Sequence, residues 1–306
     1  MHEDDASDAA ADLALQAADR TGSRHSLIRA LREYPAVLSR RLDTEPDPDS
    51  PWHDLGRAVV TMTDGLGVIP RVHVTEFGDP GIVIDGRRHK LKLVKSVEIM
   101  AFLATRGGSA PREDVIACLF DSKNDKAASA YLRMAVNRVR ECFPDQKSLD
   151  IGPNTVDWFQ GELESDYTKA RTILVRLRNV QGRQRLDLAL KALADVPEGE
   201  YLPGTRSEWV SDQRRRWNDL LTDIRHAAAE AAFEISDYAT ASSMINEVLD
   251  RDQFRERAWR LKMRVAAAVG DGDGVISAFR ACKSALATIK VAPTESTRQL
   301  LQRLRF

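Results

Sequence analysis

The hydrophobic pattern changes period along the chain. Over residues 9–42, Leu13, Leu15, Leu27, Ile28, Leu31, Val37 and Leu38 recur at helical spacing, with a break at Thr21-Gly22 and a bend at Pro35. The acidic run at residues 1–8 predicts disorder, and DTEPDPDSP at 43–51 reads as a linker or irregular connection. Residues 71–77 then alternate in part, with Val72 and Val74 on one face. Two further strand-like runs, 82–84 and 89–93, flank Asp85-Gly86. That pair predicts a hairpin, because the favoured two-residue turn needs positive φ that Gly tolerates.

Three helical patterns follow. Val97, Met100, Leu103 and Ala104 make the first stripe, which ends near a C-cap at Gly107-Gly108. Pro111 falls in the first turn of the second helix, followed by Glu113 and Asp114, which suit the positive helix end. That helix buries Val115, Cys118 and Leu119. The third, over 126–143, is capped by Asn124 or Asp125 and stopped by Pro144; its apolar face is Ala128, Leu132, Ala135, Val136, Val139 and Phe143. A small hairpin closes the region, with 149–151 and 156–158 joined through Gly152-Pro153-Asn154. Strands, three helices and a hairpin in this order predict a winged helix-turn-helix over 70–160.

Beyond Trp158 the pattern is helical throughout: 167–179, 183–193, a long helix with Trp209, Trp217, Leu220, Leu221, Ile224, Ala228 and Ala231 inward, then 238–249, 254–269, 275–289 and 294–304. Ser236-Asp237 with Ala241 and Ile245 recurs 34 residues later as Gly270-Asp271 with Val275 and Phe279. That is the tetratricopeptide period. The expected fold is mainly α with a small α+β domain: a winged helix followed by a tetratricopeptide-like bundle over 161–306, after an acidic segment, 1–60, of no assigned role.

Composition narrows the function. The 306 residues are 43% apolar and 30% charged, as in globular chains with real cores. No stretch approaches a membrane span, and the acidic N-terminus is unlike a signal peptide, so the expected setting is cytoplasmic, with no membrane partner. Cys118, Cys142 and Cys282 are far apart and read as buried thiols in a reducing compartment. Catalytic, cofactor and metal motifs are not found. GDGDG at 270–274 lacks both the preceding strand and the following Lys-Ser/Thr of a phosphate loop, and the six histidines have no ligand spacing. The expectation is therefore a protein that is not an enzyme and takes no cofactor.

Net charge is −1, yet residues 1–50 hold eleven Asp/Glu against six Lys/Arg, and 71–143 hold thirteen Lys/Arg against nine Asp/Glu. A local positive field therefore coexists with a neutral whole. The acidic segment beside that domain suits an inhibitory contact. With Leu132, Val136 and Val139 inward, the third helix turns Tyr131, Met134, Asn137, Arg138 and Glu141 outward, flanked by Lys126, Arg133 and Arg140. Asn reads adenine and Arg reads guanine bidentately, while Lys and Arg neutralise phosphates. Asn154 and Thr155 at the wing tip are placed to approach the adjacent minor groove. The expected partner is duplex DNA. The alternative is a protein-interaction or signal-receiving module whose winged helix no longer binds DNA, favoured by a wing without Arg or Lys and by the acidic N-terminal segment.

The segments DGRRHKLKL, IMAFLATRGG, PREDVIACLF and VNRVR resemble the OmpR-type winged helix of the Streptomyces antibiotic regulatory protein (SARP) family of transcription activators. YLPGTRSEWV, VLDRDQFRERAWRLKM, GDGDGVISAFRACKSAL and VAPTEST resemble the bacterial transcriptional activator domain that follows it in that family. The resemblance implies recruitment of RNA polymerase, with Asp121, Lys123 and Asp125 in the contact loop. It also implies protomers side by side on direct repeats, that is, a homodimer on DNA.

Overall fold

The computed structural model describes residues 2–21, 24, 27–28, 30–31, 34–63, 71–120, 125–143, 148–159 and 163–304. Its contacts divide the chain into two compact units, Met1–Thr168 with Glu198–Asp212, and Lys169–Pro197 with Gln213–Phe306.

The first unit opens with helices α1 (His2–Thr21), α2 (Pro35–Thr44) and α3 (Pro51–Thr63). They share a core of Leu15, Leu31, Leu38, Trp52 and Leu55. Helix begins at His2, so residues 2–8 are helical where disorder was expected. Part of the reason is charge pairing: Arg40 reaches Asp8 at 2.8 Å and Arg41 reaches Asp12. Asp19 and Asp54 likewise pair with Arg24, so these acids are matched within the segment. Leu13 is 65% exposed and leaves the expected stripe, because Ala11, Leu15 and Ala18 already carry the inward face at four- and three-residue steps. The supposed linker is a turn over 45–50. Pro35 and Pro51 open helices, a position that needs no N–H, and Pro51 is followed by buried Trp52 and Leu55. The break at Gly22 lies outside the described residues.

The next part is the winged helix. Strands β1 (Val72–Thr75), β2 (Gly81–Ile84) and β3 (Arg87–His89) form an antiparallel meander, and β7 (Leu163–Ser165) pairs parallel with β1, giving the order β3-β2-β1-β7. Asp85 at φ +48° and Gly86 at φ +79° make the expected turn. Helix α4 (Val94–Thr105) is buried on all sides from Ser96 to Ala104. It ends where the Gly108 N–H donates to the Leu103 carbonyl at 2.9 Å, with Gly107 and Gly108 both at positive φ. A second sheet has the order β4-β6-β5, from β4 (Ser109–Pro111), β5 (Leu149–Ile151) and β6 (Thr155–Trp158). Pro111 closes β4 and caps helix α5 (Arg112–Leu119), one residue outside the expected first turn. Helix α6 (Asp125–Arg140) follows; Asn124 and Pro144, expected to bound it, lie outside the described residues. Cys282 is buried as expected, but Cys118 and Cys142 are half-buried: Cys118 lies at the margin of the apolar face of α5, and Cys142 lies in the turn that follows α6.

A strap of residues 198–212 folds with this first unit, although the sequence boundary fell at 160/161. Glu76 continues the inward face of Val72 and Val74 and is fully buried. Its carboxylate accepts from the Tyr167 N–H at 2.7 Å and from the Tyr201 hydroxyl at 2.9 Å. Its carbonyl accepts from the Leu202 N–H at 2.7 Å, and the Gly78 N–H donates to the Glu200 carbonyl at 3.1 Å. Gly199 permits the approach: at φ +97°, a Cβ there would stand 2.7 Å from the Gly78 Cα. Further along, the Ser207 hydroxyl donates to buried Glu98, which Lys95 pairs at 2.6 Å, and Trp209 meets Phe102 edge-on with centroids 5.3 Å apart.

The second unit is helical: α7 (Asp166–Leu177, shared with the first unit), α8 (Gly182–Ala194), the unit-crossing α9 (Glu208–Glu234), α10 (Tyr238–Arg251), α11 (Glu256–Ala268), α12 (Gly272–Thr288) and α13 (Glu295–Arg303). The 34-residue echo is a structural repeat. The Asp237 N–H donates to the Ala232 carbonyl and the Asp271 N–H to the Ala266 carbonyl, each at 2.9 Å. Ser236 and Gly270 both take positive φ, and the Asp237 and Asp271 side chains cap α10 and α12. Ser236 is one of four non-glycine residues at positive φ among the described residues.

Two groups of the first unit tie stability to pH. Burial pushes the Glu76 carboxyl up to about 7, with the Asp166 charge adding to it against hydrogen bonds that pull it down. For His73, burial lowers the imidazole, but the hydrogen bond and charge of Asp166, then those of Glu164, outweigh it and the net direction is up. Both folded values lie above the unfolded ones, so both contributions are present at low pH and lost as pH rises through the folded values. The unfolding midpoint should therefore fall by about 5 °C between pH 5 and 8. Glu76→Gln should flatten much of that slope, which calorimetry across the range will read.

Candidate nucleic-acid interface

Helix α6 forms because one face is continuously apolar and the other polar at 100° per residue. Leu132, Ala135, Val136 and Val139 are fully buried, and the Ala135 carbonyl accepts from the Ser96 hydroxyl of α4 at 2.8 Å. On the opposite side Ala127, Ala130, Met134, Asn137 and Glu141 face outward. Lys126 and Arg133 flank this strip on one side, and Tyr131 and Arg138 on the other. Met134 is 44% exposed, an apolar side chain offered to solvent between polar neighbours.

The expected contact residues fall into three groups. Lys126, Arg133, Met134 and Asn137 are exposed on α6, and Arg133 has no ion-pair partner among the described residues. Tyr131, Arg138 and Arg140 are engaged internally. The Tyr131 ring meets Phe120 edge-on at 5.7 Å, and Arg138 pairs with Glu141 at 2.7 Å. Arg140 donates to the Leu149 carbonyl and the Asp150 carboxylate, both at 2.6 Å, and more weakly to the Asn137 amide oxygen at 3.4 Å. Arg140 thus tethers the wing to the helix and holds Asn137 by its oxygen. The wing residues make the third group. Asn154 is exposed at the tip. Thr155, expected beside it, is only 6% exposed: it is the first residue of β6, and its hydroxyl donates to Asp157 at 2.5 Å. Asp157 also accepts from the Ser109 hydroxyl at 2.5 Å, so one buried carboxylate joins β4 and β6. Pro153 and Asn154 remain as the exposed tip.

Arg112, at the start of α5, was not foreseen. Its guanidinium reaches the Ser129 hydroxyl of α6 at 3.2 Å, and its N–H donates to the Asn154 carbonyl at 2.8 Å. It links both helices of the helix-turn-helix to the wing. The only sequence signal was its place directly after Pro111 at a helix start. Asp121 and Lys123 lie outside the described residues, and Asp125 is the first residue of α6. Among the described residues no group of His, Cys, Asp and Glu side chains is placed to hold a metal ion, and no helix is long and apolar enough to cross a membrane.

A family model, the bacterial transcriptional activator domain, matches residues 164–305. Residues 164–305 are therefore similar to that domain. This stretch follows a winged helix, so the domain order resembles that of the SARP-type transcriptional regulators whose motifs the sequence resembles. Among solved structures the chain is similar to Mycobacterium tuberculosis EmbR in complex with a low-affinity phosphopeptide, with a TM-score of 0.62 at 16% identity. That match covers 77% of this chain and 65% of the other, under two thirds of its length. At such identity the likeness is one of fold. No curated protein matches the chain.

Arg140→Ala tests the tether. It removes two charge-assisted hydrogen bonds between α6 and the wing, so urea unfolding should show a loss of about 2 kcal/mol. An unchanged midpoint would mean that the wing is held without it.

Proposed function

We propose that this chain is a SARP-type regulator that binds duplex DNA in the cytoplasm by laying α6 in the major groove. The observation that carries the reading is the exposed strip of Asn137 and Met134, with Arg133 beside it, on a helix whose other face is locked into the core. Asn137, held at its oxygen by Arg140, presents its amide edge to a base. Met134 suits a thymine methyl or sugar, and Lys126 and Arg133 meet phosphates. The tip at Asn154 approaches the neighbouring minor groove. By resemblance to the family, two protomers lie side by side on direct repeats, and residues 121–125 meet RNA polymerase.

A second reading, a protein-interaction module with a winged helix that does not bind DNA, is favoured by one observation: Arg138 and Arg140 are spent on internal pairs and the wing tip carries no cation. Capture of genomic DNA by the purified chain at near-physiological salt separates the two. The first reading expects enrichment of a repeated motif, lost in Arg133→Ala/Asn137→Ala, each contact contributing about 1–3 kcal/mol of discrimination. Affinity for the motif should fall with rising salt, and the slope should shrink by about one in Arg133→Ala. Capture equal to that of the double variant leaves the interaction module.

A further inference from the structure

Three helices of the second unit surround one basic cavity. On α11, Arg257, Arg260 and Arg264 follow at steps of three and four, so they share a face. Helix α9 contributes His226 and Glu230, one turn apart, and α13 contributes Arg303. These side chains line a cavity of about 430 Å³, a size usual for small-molecule sites.

The charges inside do not balance. Four guanidiniums share the cavity with a single carboxylate, and that carboxylate is occupied: Glu230 lies 2.9 Å from Arg185 and 3.3 Å from the His226 Nε2. Arg257 is matched by Asp223, and Arg260 donates to the Thr297 hydroxyl at 3.1 Å. Arg264 lies over the Phe233 ring, 4.4 Å from its centroid. Arg264 and Arg303 have no carboxylate partner among the described residues. His226 completes the wall. Its side chain is 5% exposed, and its buried Nδ1 has no hydrogen-bond partner among the described residues. Arginine forks grip phosphate oxygens in pairs, and a cavity with several of them favours an anion of more than one charge.

We propose that this cavity is the ligand site of the activator domain and binds a small phosphorylated polyanion. Arg260, Arg264 and Arg303 hold its oxygens, with the His226 ring packed beside them in the cavity wall. Such binding is independent of whether α6 reads DNA.

Isothermal titration of the full chain with inorganic pyrophosphate, at constant ionic strength, tests this. Saturable binding is expected. Arg264→Gln/Arg303→Gln should weaken it about tenfold or more, while the midpoint of unfolding without ligand stays unchanged, since both side chains are exposed. Citrate, matched in charge, should bind more weakly. Heats that do not saturate, equal binding by the double variant, or citrate bound as tightly as pyrophosphate would each overturn the assignment.

Discussion

Helix α4 has no face to solvent between Ser96 and Ala104, and it carries a carboxylate, Glu98, inside. An apolar helix surrounded on every side must be walled by several elements, and a buried charge must be met by a cation and hydrogen-bond donors. The first sheet, α5 and α6 supply part of the wall. Residues 198–212 supply the rest, with Ser207 donating to Glu98 and Trp209 against Phe102. The same strap completes the surroundings of Glu76 through Tyr201 and Leu202. Two buried carboxylates thus fix where the strap lies, because neither can go unpaired at low cost.

The consequence reaches α6. Its apolar face packs on α4, so the orientation of its outer strip depends on how firmly α4 is held. Arg140 and Arg112 then set the wing against the two helices. The interface gains rigidity by using some of its own cations as braces. What remains for a partner is narrow: a strip of Asn, Met and flanking basic residues with one uncharged tip. The proposed DNA contact would therefore rest on shape and a few polar contacts more than on bulk positive charge.

Much of this was legible because it is local. The Asp85-Gly86 turn, the Gly107-Gly108 stop, the apolar face of α6 and the 34-residue echo each depend on residues a few positions apart or on a fixed period. The three-residue strands β4 and β7 were not legible, since β7 pairs with β1 some ninety residues earlier and has too few positions to show alternation. Thr155 illustrates the sensitivity of register: starting β6 one residue later places it on the tip, and starting it at Thr155 turns it inward. The engagement of Arg138 and Arg140 was invisible for another reason, since a helical wheel gives direction but not neighbours. Glu76 could have been found, because it sits in step with Val72 and Val74 on the buried side of its strand.

The strap lies inside the stretch that matches the activator domain, 164–305, yet it folds with the winged helix. Sequence heredity and physical cohesion therefore draw different lines through this chain. A recombination event that exchanged one half for a relative's at the sequence boundary would bring together a Glu76 and a Tyr201, or a Glu98 and a Ser207, with separate histories. The two halves should accordingly have been inherited as a pair, each substitution in the strap constrained by a carboxylate more than a hundred residues upstream.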